Sequence, residues 1–153
     1  MVSYRRTKSS GGGIQRVVSD DTQPAIVLQA EEGNRAPDAL GRPRVVKAAS
    51  EVTRGAYTLH ESRRLPGQGA PPHVHSKHEE AFYVLEGVVR FTVDSRVIEA
   101  KAGAFVLVPR GTMHSFEASG ATPAKYLCIF SPPIDAEERE SLARQARQLP
   151  PDP

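Results

Sequence analysis

The sequence predicts an all-β sandwich or barrel closed by one C-terminal helix. Three observations carry this. Short runs rich in Val, Ile, Phe, Tyr and Thr fill the middle of the chain, with Gly and Pro between them at close intervals. No repeat of fixed period is visible. The last twenty residues change to a charged, helix-forming composition.

The chain of 153 residues is long enough for one domain with one core. Residues 1–13 are polar, carry the basic run "YRRTKSS" and end in glycines, and read as a flexible lead-in to a β domain over 14–133. Expected strands are "IVLQA", "RVVKA", "GAYTLHES", "AFYVLEG", "VVRFTV", "RVIEA", "AFVLVP", "MHSFEA" and "KYLCIF". "VVRFTVDSRVIEA" reads as a hairpin turning at Asp94 and Ser95. Gly87, Gly103 and Gly111 fall at strand ends, where tight turns favour positive φ. Pro109 removes a backbone donor where a strand ends.

Over 134–149 a helix is expected to lie on the barrel and cover a sheet edge or face. Asp135 is its N-cap, with Glu138 three residues on as a capping-box variant. Glu137, Glu138 and Glu140 sit early and Arg144 and Arg147 late, as the helix dipole prefers. Leu142, Ala146 and Leu149 form a narrow apolar stripe, and Pro150 and Pro151 stop the helix.

Composition removes several function classes. A net charge of +2 is too small a bias for nucleic-acid binding. No apolar run reaches the ~18 residues of a membrane span, and no apolar segment of a secretory signal follows the basic start. One cysteine, Cys128, fits a reducing compartment and a small core position. A cytoplasmic location is expected.

Chemistry concentrates in "PPHVHSKHEEAFYVLEG". His73 and His75 are two apart and share one face of an extended strand. In the next run Glu80, Phe82 and Val84 share one face, with Ala81, Tyr83 and Leu85 on the other. Glu79 has the opposite parity to Glu80 and is expected at the surface, and His78 is expected in a solvated loop. Strand alternation leaves open whether His60 faces inward. Far downstream, "GAFVLVPRGTMHSFEA" adds His114, with Phe116 on the same face. Three imidazoles and a carboxylate can hold a first-row divalent metal with positions left for water or substrate.

These stretches resemble the two motifs of the cupin family. Gly67, His73, His75, Glu80 and Gly87 match the first, and Gly103, Pro109, Gly111 and His114 match the second. The Asn usual four residues after the last His is replaced by Ala118, which touches local hydrogen bonding and not the ligand set. The resemblance implies a double-stranded β-helix, or jelly-roll barrel, with one divalent transition metal (Fe, Mn, Ni, Cu or Zn) on His73, His75, Glu80 and His114. Glu80 would be a ligand or a general base. Phe82, Phe91 and Phe116 are expected to wall a pocket for a small organic molecule. The implied activity is quercetinase-like dioxygenase chemistry. A metal-dependent isomerase or decarboxylase, or a binding or sensor module, are the alternatives. The resemblance also implies a homodimer, in which the segment Ile14–Ala30 would cover a partner's sheet edge.

Overall fold

The computed structural model describes residues 15–17 and 25–146. The N-terminal tail, Leu149 and the end of the expected helix lie outside these residues. Twelve strands and one helix follow in chain order: β1 (Gln15–Val17), β2 (Ala25–Val27), β3 (Asn34–Pro37), β4 (Pro43–Ala48), β5 (Thr58–Arg64), β6 (Gly69–His73), β7 (Glu79–Glu86), β8 (Val88–Val93), β9 (Arg96–Lys101), β10 (Phe105–Val108), β11 (His114–Ala118), β12 (Ala124–Ser131) and α1 (Ala136–Ala146). Each of the nine strand expectations meets a strand. The short strands β1, β3 and β6 carry no apolar run and lie outside those nine, although β1 falls in the segment expected as an edge strand and β6 ends at His73, expected to be extended.

A six-stranded sheet has the order β10-β7-β12-β5-β4-β3, and a four-stranded sheet the order β6-β11-β8-β9. All pairings are antiparallel. β1 and β2 pair with each other apart from both sheets. The alternation expected in β7 is observed: Glu80, Phe82 and Val84 are buried, while Tyr83 is exposed. Phe82 of the larger sheet meets Phe91 and Phe116 of the smaller one, each at a ring distance of 4.9 Å. Val84, Val89, Tyr126 and Phe130 complete this inter-sheet core. Edge-to-face aromatic pairs of this kind contribute beyond their buried area, about 0.5–1.5 kcal/mol each.

Two glycines are steric requirements. Gly87 turns β7 into β8 at φ +72°, and a Cβ there would lie 2.7 Å from the Pro123 carbonyl oxygen. Gly69 lets β6 approach β11 so closely that any side chain would strike the Phe116 backbone. The hairpin turn at Asp94 and Ser95 is present, with Asp94 at φ +52° and Val93 paired to Arg96.

Helix α1 begins at the expected cap. Asp135 Oδ1 accepts the Glu138 N–H at 2.8 Å. The helix does more than cover an edge. Ile134, Arg139 and Leu142 border the interior cavity, and Glu138 reaches two histidines there. No helix among the described residues is long and apolar enough to cross a membrane.

Candidate metal centre

β6, β7 and β11 deliver the four expected ligand residues to one point. His73 and His114 are direct cross-strand partners, which brings their rings to 4.2 Å. A bulge follows His114 in this pairing and turns the strand end inward. His75 lies just past β6, and Glu80 enters from the buried face of β7. The ligand atoms crowd together: His114 Nε2 is 2.9 Å from Glu80 Oε2, His75 Nε2 is 3.2 Å away, and His73 Nε2 is 3.9 Å away. His73 Nε2 and His75 Nε2 are 3.1 Å apart.

Two of the rings are oriented by backbone. His73 Nδ1 donates to the Pro71 carbonyl at 2.7 Å, and His114 Nδ1 to the Thr112 carbonyl at 3.0 Å. Each bond places Nδ1–H outward and aims Nε2 at the centre, the arrangement that metal-binding histidines need. His75 Nδ1 instead faces Glu138 Oε1 of α1 at 3.4 Å, and the same carboxylate sits 3.2 Å from His78 Nδ1. Neither contact is aligned as a hydrogen bond.

Proton accounting shows that the pocket suits a cation. Burial holds His73 down to about 4, with Glu80 opposing, so the ring is neutral at pH 7. Its Nε2 is then a bare acceptor. If His75 carries its proton on Nε2, its Nδ1 becomes an acceptor facing the Glu138 carboxylate. If the proton is on Nδ1, two bare Nε2 atoms face each other at 3.1 Å. A cation among the four donors removes the conflict, because every Nε2 lone pair then has a target and His75 keeps Nδ1–H for Glu138. The residues present therefore fit a divalent metal.

Glu80 is almost wholly buried. Burial alone would raise its pKa, but hydrogen bonds from His114 and His75 overcome this and hold it below the ordinary carboxylate range. Burial alone would lower His114, yet its bond to Glu80 raises it. Cys128 Sγ donates to Glu80 Oε1 at 3.1 Å, and burial pushes the thiol up, so it stays protonated as a donor. Cys128 thus borders the cavity as well as packing in the core.

A cavity of about 200 Å³ opens beside the cluster. Of the three expected pocket phenylalanines, only Phe116 lines it. Phe82 and Phe91 are fully buried behind that wall, packed edge-to-face against each other between the sheets. Phe130 and Ile134 supply apolar lining instead. His78 is not solvated. It is fully buried, with its ring 4.2 Å from His75 and 5.2 Å from Phe130. Glu79 is near the surface as expected, 3.7 Å from Arg110. β5 turns Thr58, His60, Ser62 and Arg64 towards the cavity, which settles the side of His60. Glu138, Arg44 and Arg64 were not anticipated at the site. The signal for Arg44 and Arg64 was their strand parity relative to His60 (β4 pairs Val46 with His60). Glu138 was read only as a helix cap.

The fold and this inward His/Glu cluster define a jelly roll with a candidate metal site. Residues 61–130 match the family described as "Cupin domain". The segment from β5 to β12 is thus a cupin domain. Over 70 residues it is 39% identical to an uncharacterized protein of Methanocaldococcus jannaschii, covering 46% of this chain and 56% of that protein. Over 90 residues it is 34% identical to quercetin 2,3-dioxygenase of Bacillus subtilis, covering 59% of this chain and 26% of that enzyme. The matched segments thus span about half of the archaeal relative and about a quarter of the dioxygenase. Among solved structures, KdgF from Halomonas sp. superposes with a TM-score of 0.61 at 20% identity, covering 71% of this chain and 94% of KdgF. A predicted oxalate decarboxylase from Thermotoga maritima gives 0.62 at 21% identity, covering 69% and 97%. Both show the fold.

Proposed function

We propose that this chain is a metal-dependent enzyme acting on a small organic molecule that chelates through oxygen, with dioxygenase-like oxidation as its reaction. One observation carries the reading: three imidazole Nε2 atoms and one ionised carboxylate converge on the wall of a cavity large enough for a substrate. His73, His75, Glu80 and His114 would hold one ion of Fe, Mn, Ni, Cu or Zn. When bound, that ion supplies Lewis acidity and, if redox-active, a route to dioxygen. The similarity to a quercetin 2,3-dioxygenase supports the oxygenase reading.

The chain's own residues do the rest. The Pro71 and Thr112 carbonyls fix two ligand rings. Glu80, held below the usual carboxylate range, is ionised at any working pH and suits a ligand better than a base. Cys128 and His114 hold its two oxygens in place. Phe116, Phe130 and Ile134 keep the adjoining space apolar, which strengthens every charge interaction within it. The volume of about 200 Å³ is small for a polycyclic flavonol. It favours a compact substrate, and with it a second reading, isomerisation or decarboxylation without dioxygen.

The test is metal analysis of purified protein, then reconstitution with each candidate ion. Oxygen uptake is measured with a flavonol, a 1,3-diketone and small 2-hydroxy and 2-oxo acids. Uptake matching product supports the oxygenase reading. Turnover without uptake selects the second reading. Stoichiometric binding without turnover identifies a binding module, and failure to retain any ion overturns the metal centre.

A further inference from the structure

The cavity beside the His/Glu cluster is also lined by a cation that no ion pair compensates. Arg44 of β4 borders the cavity, and its Nη1 donates to His60 Nδ1 at 3.1 Å. His60 is held down to about 3, by burial first and then by the Arg44 charge, so it accepts this bond as a neutral ring. The guanidinium charge is therefore not cancelled. Arg44 Nε is buried without any hydrogen-bond partner. Unmet buried donors of this kind are rare and call for a cause.

No nearby carboxylate is free to answer it. Asp38 borders the same cavity, but Arg64 Nη2 holds its Oδ2 at 2.6 Å and the Leu40 and Arg42 amides hold its Oδ1. Glu80 is occupied by His114, His75 and Cys128, and Glu138 faces His75 and His78. Arg139 of α1 adds a third guanidinium at the cavity wall. Burial lowers the pKa of Arg44, and Arg139 and Arg64 push the same way against Asp38. Arginine keeps its proton regardless, and Asp38 is spent on Arg64, so Arg44 has no anion of its own among the described residues.

We propose that the substrate is a small carboxylic acid, whose carboxylate seats on the guanidinium of Arg44 where it borders the cavity, while an oxygen at its other end faces the His73, His75, Glu80 and His114 cluster. The planar fork of Arg44 matches a carboxylate, and His60 holds the guanidinium in place through Nη1. Volume agrees. About 200 Å³ leaves room for an acid of a few carbons. The inference rests on the metal-enzyme reading for the far end of the ligand only. The carboxylate seat is built from Arg44 and His60.

The test uses metal-loaded full-length chain and isothermal titration with malate and 2-oxoglutarate, each beside its methyl esters. The expected result is an acid preference over ester of about 30-fold, the worth of one charge-assisted pair. Arg44→Met should abolish the preference with metal content unchanged, and Arg44→Lys should restore part of it. Equal binding of acid and ester by metal-replete wild-type protein overturns the carboxylate seat and leaves the metal reading intact. Acid preference in protein that retains no metal sinks the metal reading and keeps the seat. The ester comparison needs no variant, so equal binding overturns the seat even if Arg44→Met fails to fold.

Discussion

Two groups of side chains that line the cavity are chemical opposites. One group is built of acceptors: the Nε2 atoms of His73, His75 and His114 and the Glu80 carboxylate. The other is built of donors, the guanidiniums of Arg44, Arg64 and Arg139 with only Asp38 among them. Each group is frustrated by itself. The Nε2 atoms of His73 and His75 crowd to 3.1 Å in the first, and an N–H lies orphaned in the second. The acceptor group calls for a cation and the donor group for an anion, and an apolar wall of Phe116, Phe130 and Ile134 lines the same cavity. Buried polar groups left unmatched by the protein itself are what a site complementary to a polar ligand looks like.

The sharpest way to break this comparison is to remove one group. A His75→Ala/His114→Ala double variant should drop retained metal from about one equivalent to under ~0.1, since two of four ligands are gone. Arg44→Met should leave metal near one equivalent. Plasma mass spectrometry on both proteins reads the result, and equal loss in both would show that the two groups are not separate.

The aromatic floor should behave differently from the wall. Phe82 is fully buried among Phe91, Phe116 and Tyr126. Phe82→Ala should cost about 3–5 kcal/mol in urea unfolding. Phe116→Ala opens onto existing space, so it should cost less and enlarge the cavity. An equal cost for the two would place Phe116 in the sealed core.

Glu138 tests how far the acceptor group extends. Among the described residues it is the carboxylate that faces His75 Nδ1, and its loss should weaken metal binding without removing a ligand. Glu138→Gln should lower affinity about 10–100-fold, as outer partners of ligand histidines do, with full occupancy at saturating metal. A competitive chelator titration measures this. Glu138→Ala should be worse than Gln, because Gln keeps an acceptor. Unchanged affinity in both would reduce the helix to a cover.

The acceptor group was legible in the sequence and the donor group was not, for a physical reason. His73, His75 and Glu80 lie within eight residues, and strand alternation alone puts them on one face. His114 joins through the matching motif. Arg44 and His60 come from β4 and β5, where nothing local marks the inward face. Val45 is buried on the opposite side of β4, and Glu61 on the opposite side of β5 is also buried by its pairs with Lys47 and Lys125. Both faces of these strands are thus covered, and alternation loses its meaning. His78 was misread for a related reason. A loop position looks solvated until a distant helix brings Glu138 over it. The helix cap at Asp135 was readable because capping is local, whereas the placement of α1 at the cavity is a tertiary outcome.

The smallest effect belongs to His60, and it asks whether the donor group is truly uncompensated. Its folded pKa of about 3 lies below the unfolded value of ~6.5, because burial and the Arg44 charge both oppose protonation. Above pH 6.5 neither state binds the proton, and the contribution of His60 to stability is fully present. As pH falls from 6.5 towards 3, the unfolded chain takes up a proton that the fold refuses, so stability is lost at up to ~1.4 kcal/mol per pH unit. Chelator-treated protein keeps metal release out of the measurement. His73, held down to about 4, adds loss of the same sign in wild type and variant alike. His60→Gln can still accept the Arg44 N–H but cannot take up the proton. Between pH 6.5 and 5 its unfolding free energy should therefore fall by about 2 kcal/mol less than that of wild type. Parallel curves would mean that His60 is protonated in the fold. It could not then accept from Arg44, and the orientation of the guanidinium towards the cavity would lose its support.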